Sequence, residues 1–236
     1  MNRLALMVLK NLHRVPGVYG KLCHYAKNTD KYPEDEKYDH IRKMLSYALD
    51  ASNVELEVTG LENVPKEGGC LLVGNHQGMF DVVALGATTP RSLAIVFKKE
   101  LEKTILVREV VACTHSFAMD REDVRQSLTV IGQVTEELKK GRAYVIFPEG
   151  TRSKTGNEMR PFHGGSLRAA VKAKCPVVPL AFVDCFKVLD QPGSKPLKAQ
   201  LHYLKPVMPE EFADMKPAEL AELVQTRIRE AIEAHT

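Results

Sequence analysis

The sequence predicts an α/β domain, a mixed and largely parallel sheet flanked by helices, with a helical segment in front of it. From Val54 onward, short β-branched or aliphatic runs alternate with segments of helical spacing. No internal repeat interrupts that alternation, and no linker is long enough to separate a second catalytic domain from the first. The 236 residues, 44% hydrophobic and 27% charged, suffice for one core. In order along the chain, residues 1 to about 50 read as helical, broken near Val15-Pro16-Gly17 and again at the polar turn from Lys31 to Glu36. Strands are predicted over Val54–Val58, Cys70–Gly74, Ser92–Phe97, His115–Met119, Tyr144–Phe147, Val177–Phe182 and Ala199–Leu204. Helices are predicted over Phe80–Ala87, Val124–Lys140 and Ser166–Lys174. From Pro217 onward Leu220, Leu223, Val224, Ile228 and Ile232 share one helical face. The expected division is a helical segment over 1–50 and an α/β domain over 51–236.

The formal charge of +3 is unevenly placed. Residues 1–32 hold Arg3, Lys10, Arg14, Lys21, Lys27 and Lys31 against Asp30 alone, whereas the other 204 residues hold 27 bases and 29 acids. A basic end on a near-neutral body suits an anionic surface. The same end offers Leu4, Leu6, Met7, Val8, Leu9 and Leu12 to an acyl boundary, with Arg3, Lys10, Arg14 and Lys21 for head groups. The competing expectation is that this helix packs on the protein's own body. Lys10, His13 and Arg14 interrupt the apolar run too early for a signal peptide, and no cleavage site follows. No stretch reaches the roughly 18 to 20 uncharged residues of a spanning helix, and a mean hydropathy of -0.21 is too polar for a polytopic membrane protein.

Other classes are disfavoured by what the chain lacks. Five cysteines without a C-x-x-C pair give neither a disulfide framework nor a zinc site, and a reduced cytosolic setting is the default. Eight histidines show no metal spacing, so no metal and no cofactor is expected. Nucleotide phosphate loops are missing. A nucleic-acid partner is not expected, because the basic excess lies at one apolar-rich end and aromatics are 6% without a stacking motif.

Ligands of open α/β sheets bind beyond the carboxyl ends of strands, and four predicted strand ends are rich in polar residues. The first runs into Asn75-His76-Gln77-Gly78-Met79-Phe80-Asp81, the second into Lys98-Lys99-Glu100, the third into Asp120-Arg121 and the fourth into Pro148-Glu149-Gly150-Thr151-Arg152-Ser153. Brought to one edge, they supply a histidine, a carboxylate and several cations, which is a general base beside an anion pocket suited to phosphate. A five-residue separation lets Asp81 fold back to accept the Nδ1 proton of His76 and leave Nε2 free as a base. No Ser or Cys lies between them and G-x-S-x-G is absent, so the base most simply activates a substrate hydroxyl for direct transfer.

These residues carry a resemblance. The run from Asn75 to Asp81 is similar to the N-H-x-x-x-x-D motif of glycerolipid acyltransferases, and Phe147 to Ser153 matches that family's F-P-E-G-T-R-S block. Met119-Asp120-Arg121 and Val177-Val178-Pro179-Leu180 resemble two lesser blocks, and together they point to the 1-acyl-glycerol-3-phosphate acyltransferase branch. The resemblance implies that His76 deprotonates the acceptor hydroxyl and Asp81 orients His76. It implies a phosphate site of Arg152, Lys99 and Arg121, with Glu149, Gly150 and Thr151 in the same loop, and an acyl donor bordered by Val178 and Pro179. The implied partners are acyl-ACP or acyl-CoA, lysophosphatidic acid and an anionic membrane surface, at the cytoplasmic face of the cell membrane. The fold it implies places a membrane-docking helical pair before an α/β domain.

The sequence departs from the pattern at four places. Ala118 stands where Phe is usual and His115 where Gly is frequent; Thr104-Ile105-Leu106-Val107 replaces the usual Pro and Gly, and His163 replaces a common Lys. These departures leave room for another lysolipid as acceptor. A non-catalytic lipid-binding protein is the remaining alternative, and the intact His76 and Asp81 argue against it.

Overall fold

Five residues in a row without a charged side chain, Cys70–Gly74, do not suit a half-solvated sheet. In the computed structural model, which describes residues 3–236, they form the buried centre of one. The first two residues of the predicted helical segment lie outside this range. The elements are α1 (Arg3–Asn11), α2 (Val15–Lys27), α3 (Glu34–Ala51), β1 (Val54–Thr59), β2 (Cys70–Gly74), α4 (Phe80–Thr88), β3 (Leu93–Lys98) and α5 (Val107–Thr114). There follow β4 (Phe117–Met119), α6 (Val124–Lys139), β5 (Ala143–Ile146), α7 (Arg168–Ala173), β6 (Val177–Val183), α8 (Phe186–Leu189), β7 (Leu197–Tyr203) and α9 (Pro217–His235).

The strands lie in the order β1-β7-β6-β2-β5-β3-β4. Five of them, from β6 to β4, run parallel, with Leu72 of β2 between Val145 of β5 and Val178 of β6. Strand β7 is antiparallel to β6 and carries β1 beside it, so the sheet is mixed, as expected. One face is covered by α6, α7 and α9 through Val130, Val134, Leu138, Val224 and Ile228. The other holds Tyr38, Phe80, Leu85 and Val188 under α3, α4 and α8. A third cluster of Leu22, Tyr25, Ile41 and Cys113 joins α2 to α3 and α5.

Two differences from the sequence reading have local causes. The strand expected from His115 begins at Phe117, because His115 adopts a left-handed conformation (φ 52°) that ends α5. That helix carries Val107, Val110 and Val111, residues whose branched side chains weaken a helical signal. The N-terminal segment has an exposed apolar face and a face packed on the body. Leu4, Val8, Leu9 and Leu12 are exposed, but Met7 is buried. Arg3, expected at head groups, is 3% exposed and donates to the carbonyls of Val188 and Lys195, so it fastens α1 to the body. No helix among the described residues is long and apolar enough to cross a membrane.

Candidate active site

Strand order decides what the four polar strand ends can do together. β2, β5, β3 and β4 are consecutive neighbours running the same way, so all four ends leave the sheet at one edge. Neighbouring strands are about 4.8 Å apart. The loop after β5 therefore lies beside His76, Lys98 and Lys99 leave the sheet about 10 Å away, and Arg121 about 15 Å away.

At the end of β2 the chain turns back within four residues. Nδ1 of His76 lies 2.8 Å from Oδ2 of Asp81, the pairing that the spacing predicted. The same oxygen accepts the backbone N–H of Gln77 (2.7 Å) and of Gly78 (3.0 Å), while Oδ1 is buried without a hydrogen bond. Asp81 is fully buried in the first turn of α4, where a carboxylate is favoured by the helix dipole. The imidazole stacks on Phe147, ring centroids 4.3 Å apart and 22° between planes. The ring is thus held at one nitrogen and on one face, and Nε2 has no hydrogen-bond partner among the described residues.

The loop after β5 holds the backbone of His76 from the other side. Glu149 Oε1 accepts the His76 N–H (2.9 Å), and the His76 carbonyl accepts the Ser153 N–H (2.7 Å). Glu149 Oε2 accepts the Arg160 N–H (3.2 Å). Burial pushes the Glu149 carboxyl above the usual carboxylate range, and its two backbone donors only partly offset this. Gly150 takes φ +71°, and a Cβ there would meet the His163 ring at 3.4 Å, so His163 closes the loop.

The cations differ from this in kind. Arg152 is half exposed and pairs with Asp190 at 3.1 Å. Lys99 pairs with Asp120 at 3.3 Å, and the Glu122 N–H together with Lys99 holds the Asp120 carboxyl below its usual range. Arg121 is exposed, and Thr151 is also exposed at the loop tip. Val178 and Pro179, expected beside an acyl donor, are buried in β6, paired with Leu72 and Val73 of β2. Two cavities, of about 640 Å³ at the amino ends of the strands and about 560 Å³ between α2 and α3, include none of these residues.

The similarities of the chain to known proteins agree with this geometry. A family described as Acyltransferase matches residues 55–183, more than half the chain, including His76, Asp81, Lys99, Arg121 and the loop from Glu149 to Arg152. The chain belongs to the acyltransferase family. A relative named 1-acyl-sn-glycerol-3-phosphate acyltransferase, from Helicobacter pylori, is 31% identical over 72% of this chain and 70% of its own. One of the same name from Saccharomyces cerevisiae is 29% identical over 74% of this chain and 59% of its own. The crystal structure of the 1-acyl-sn-glycerophosphate acyltransferase PlsC from Thermotoga maritima superposes with a TM-score of 0.76. It covers 98% of this chain and 97% of that one at 24% identity, a likeness of fold.

In this acyltransferase, three polar side chains beyond the sequence prediction position the histidine turn. Asn75 extends the β2–β6 ladder by one step, accepting the Phe182 N–H (2.8 Å) and donating to the Phe182 carbonyl (2.9 Å). Gln77 accepts the Cys185 N–H (2.8 Å) and donates to Asn157 (2.7 Å), which accepts from and donates to Asp184. Asn75 and Gln77 carried a signal, since both interrupt an apolar stretch beside His76; in the structure each is 2% exposed. Asn157, 80 residues on from Gln77, carried none.

Proposed function

We propose that the enzyme moves a fatty acyl group from a thioester, borne by acyl carrier protein or coenzyme A, to the sn-2 hydroxyl of 1-acyl-glycerol-3-phosphate, giving phosphatidic acid. The observation that carries this reading is the His76–Asp81 contact, which leaves Nε2 free, among the described residues, at the edge that also carries the cations. Nε2 takes the hydroxyl proton as the oxygen attacks the thioester carbonyl. The C–S bond then breaks, and the imidazolium returns the proton to the departing thiolate, so no group of the protein is acylated. Asp81 fixes the tautomer and stabilises the imidazolium. Arg152, with Lys99 and Arg121, holds the acceptor phosphate, the loop from Glu149 to Thr151 shaping that site. Val178 and Pro179 border the donor only through the strand they stiffen. The names of the relatives support the acceptor.

The exposed leucines of α1 and the basic residues around them hold this edge at an anionic bilayer, on the cytoplasmic face of the cell membrane, as a peripheral or monotopic enzyme. Because Leu22 and Tyr25 of α2 are buried, the sharper test of docking is Leu9→Asp with Leu12→Asp rather than removal of the segment; vesicle binding should be lost. The reaction is tested with acyl-ACP and acyl-CoA donors against a panel of lysolipids, products being identified by mass. Phosphatidic acid should form from lysophosphatidate. Transfer only to another lysolipid would move the acceptor, and release of free fatty acid alone would replace transfer by hydrolysis.

A further inference from the structure

Between β3 and α5 the chain makes a projection that the acyl-transfer chemistry does not use. Leu101, Ile105 and Leu106 are 46, 67 and 41% exposed, three large aliphatic side chains in six residues facing solvent. Leu106 has φ +76°, a region that a branched side chain enters only under strain and that glycine would occupy freely. The strain is held by Glu109, a buried carboxylate that accepts the Leu106 N–H at 2.8 Å and also takes Arg108. Around the tip, Lys98, Lys99, Lys103 and Arg108 alternate with acids, and Lys98, Lys99 and Arg108 pair with Glu100, Asp120 and Glu109.

The projection also has a fixed level. Glu109, in the first turn of α5, accepts a hydrogen bond from Tyr19, one turn into α2, at 3.3 Å. The two helices pack side by side and therefore begin at the same height, so the exposed Leu12 and Val15 at the α1–α2 turn share a plane with Ile105. That plane is the carboxyl edge of the parallel strands, where His76 lies. An acidic protein would be met by cations alone; here an aliphatic tip with balanced charges continues an aliphatic turn flanked by Lys10, Arg14 and Lys21, which matches the acyl boundary and head groups of an anionic bilayer.

We infer that Leu101–Leu106 is a second membrane-inserting element, which enters an anionic bilayer beside the α1–α2 turn and brings the His76 edge down onto the lipid surface. This rests on the membrane docking proposed for α1, and the experiment separates the two. The chain has no Trp, so Leu9→Trp, Ile105→Trp and Leu61→Trp each create a single reporter in the full-length protein. Leu61 is exposed just after β1, at the opposite edge of the sheet.

With phosphatidylglycerol–phosphatidylcholine vesicles, Leu9→Trp and Ile105→Trp should shift to the blue and be quenched by brominated acyl chains, and Leu61→Trp should do neither. Ile105→Asp should weaken vesicle partitioning about 10- to 100-fold, the loss expected for one buried aliphatic side chain. Its turnover on detergent-dispersed lysophosphatidate should be unchanged. A response from Leu9→Trp but not Ile105→Trp overturns the inference and leaves docking by α1 standing; silence from both overturns both. An equal response on phosphatidylcholine alone overturns the anionic bilayer as occupant. A response of Ile105→Trp to acyl carrier protein but not to vesicles makes the projection a protein-docking site instead.

Discussion

The two halves of the site are built differently. Around His76 every group but one is committed. Asp81 holds Nδ1, Phe147 holds the ring face, Glu149 and Ser153 hold the backbone, and among the described residues only Nε2 is left without a partner. The cations have no such support: Arg152 and Lys99 are about half exposed and each spends its charge on a neighbouring carboxylate. A base must meet its proton at one distance and angle, so rigidity serves it. Long cationic side chains can gather around a phosphate once it arrives, exchanging weak exposed ion pairs for it. In the proposed reaction the acid–base half is therefore prebuilt, whereas the proposed anion half is assembled by its ligand.

The largest effect should come from removing the prebuilt half. His76→Ala should lower kcat by about 10² to 10⁴, the usual contribution of general-base catalysis; near-normal turnover in the purified variant would overturn the mechanism. Asp81→Asn should approach that loss. The new amide nitrogen either faces three donors or takes the place of Oδ1, which is buried and bonded to nothing. The variant should also lose roughly 1–3 kcal/mol of stability for that unmet donor, read by denaturant unfolding.

Glu149 joins the halves, and Glu149→Gln sharpens the comparison through pH. Gln can accept one of the two backbone N–H groups but turns a donor toward the other, so the variant should be less stable at every pH. Burial raises the wild-type carboxyl in the folded state. As pH rises above the ordinary value of about 4.3, the unfolded chain releases this proton first, and the wild-type protein loses stability until the raised value is passed. Gln carries no such proton. The gap in Tm between the two proteins should therefore narrow over that window as pH rises, and a constant gap would mean that Glu149 is ionised in both states alike.

The smallest effects belong to the cations. Arg152→Ala should raise the acceptor KM about tenfold with little change in kcat, as for one charge-assisted contact. Asp190→Asn should act in the opposite direction, lowering the acceptor KM a few-fold by freeing Arg152 from its exposed partner. An unchanged KM in both would remove Arg152 from the phosphate site and break the contrast between the halves.

How much was legible followed from distance along the chain. His76 and Asp81 are five residues apart at the end of an apolar run, so their contact was a local inference. All seven strands announced themselves by composition. Helix α5 did not, because its valines read equally well as strand. Arg3 shows the opposite failure: in sequence it is one more base in a basic end, and in the structure it is a buried fastener for carbonyls 185 and 192 residues away.

The sequence by itself therefore determined the elements, the histidine–carboxylate pair and the supply of polar residues at four strand ends, because period and short-range spacing are properties of the local chain. Tertiary structure alone decided that those ends are neighbours in the order β2, β5, β3, β4. It also decided that Glu149 reaches His76 across 73 residues and that Arg152 faces Asp190. Strand order and distant pairing depend on how whole faces pack, and a hydrophobic pattern records that a face is buried without recording against what.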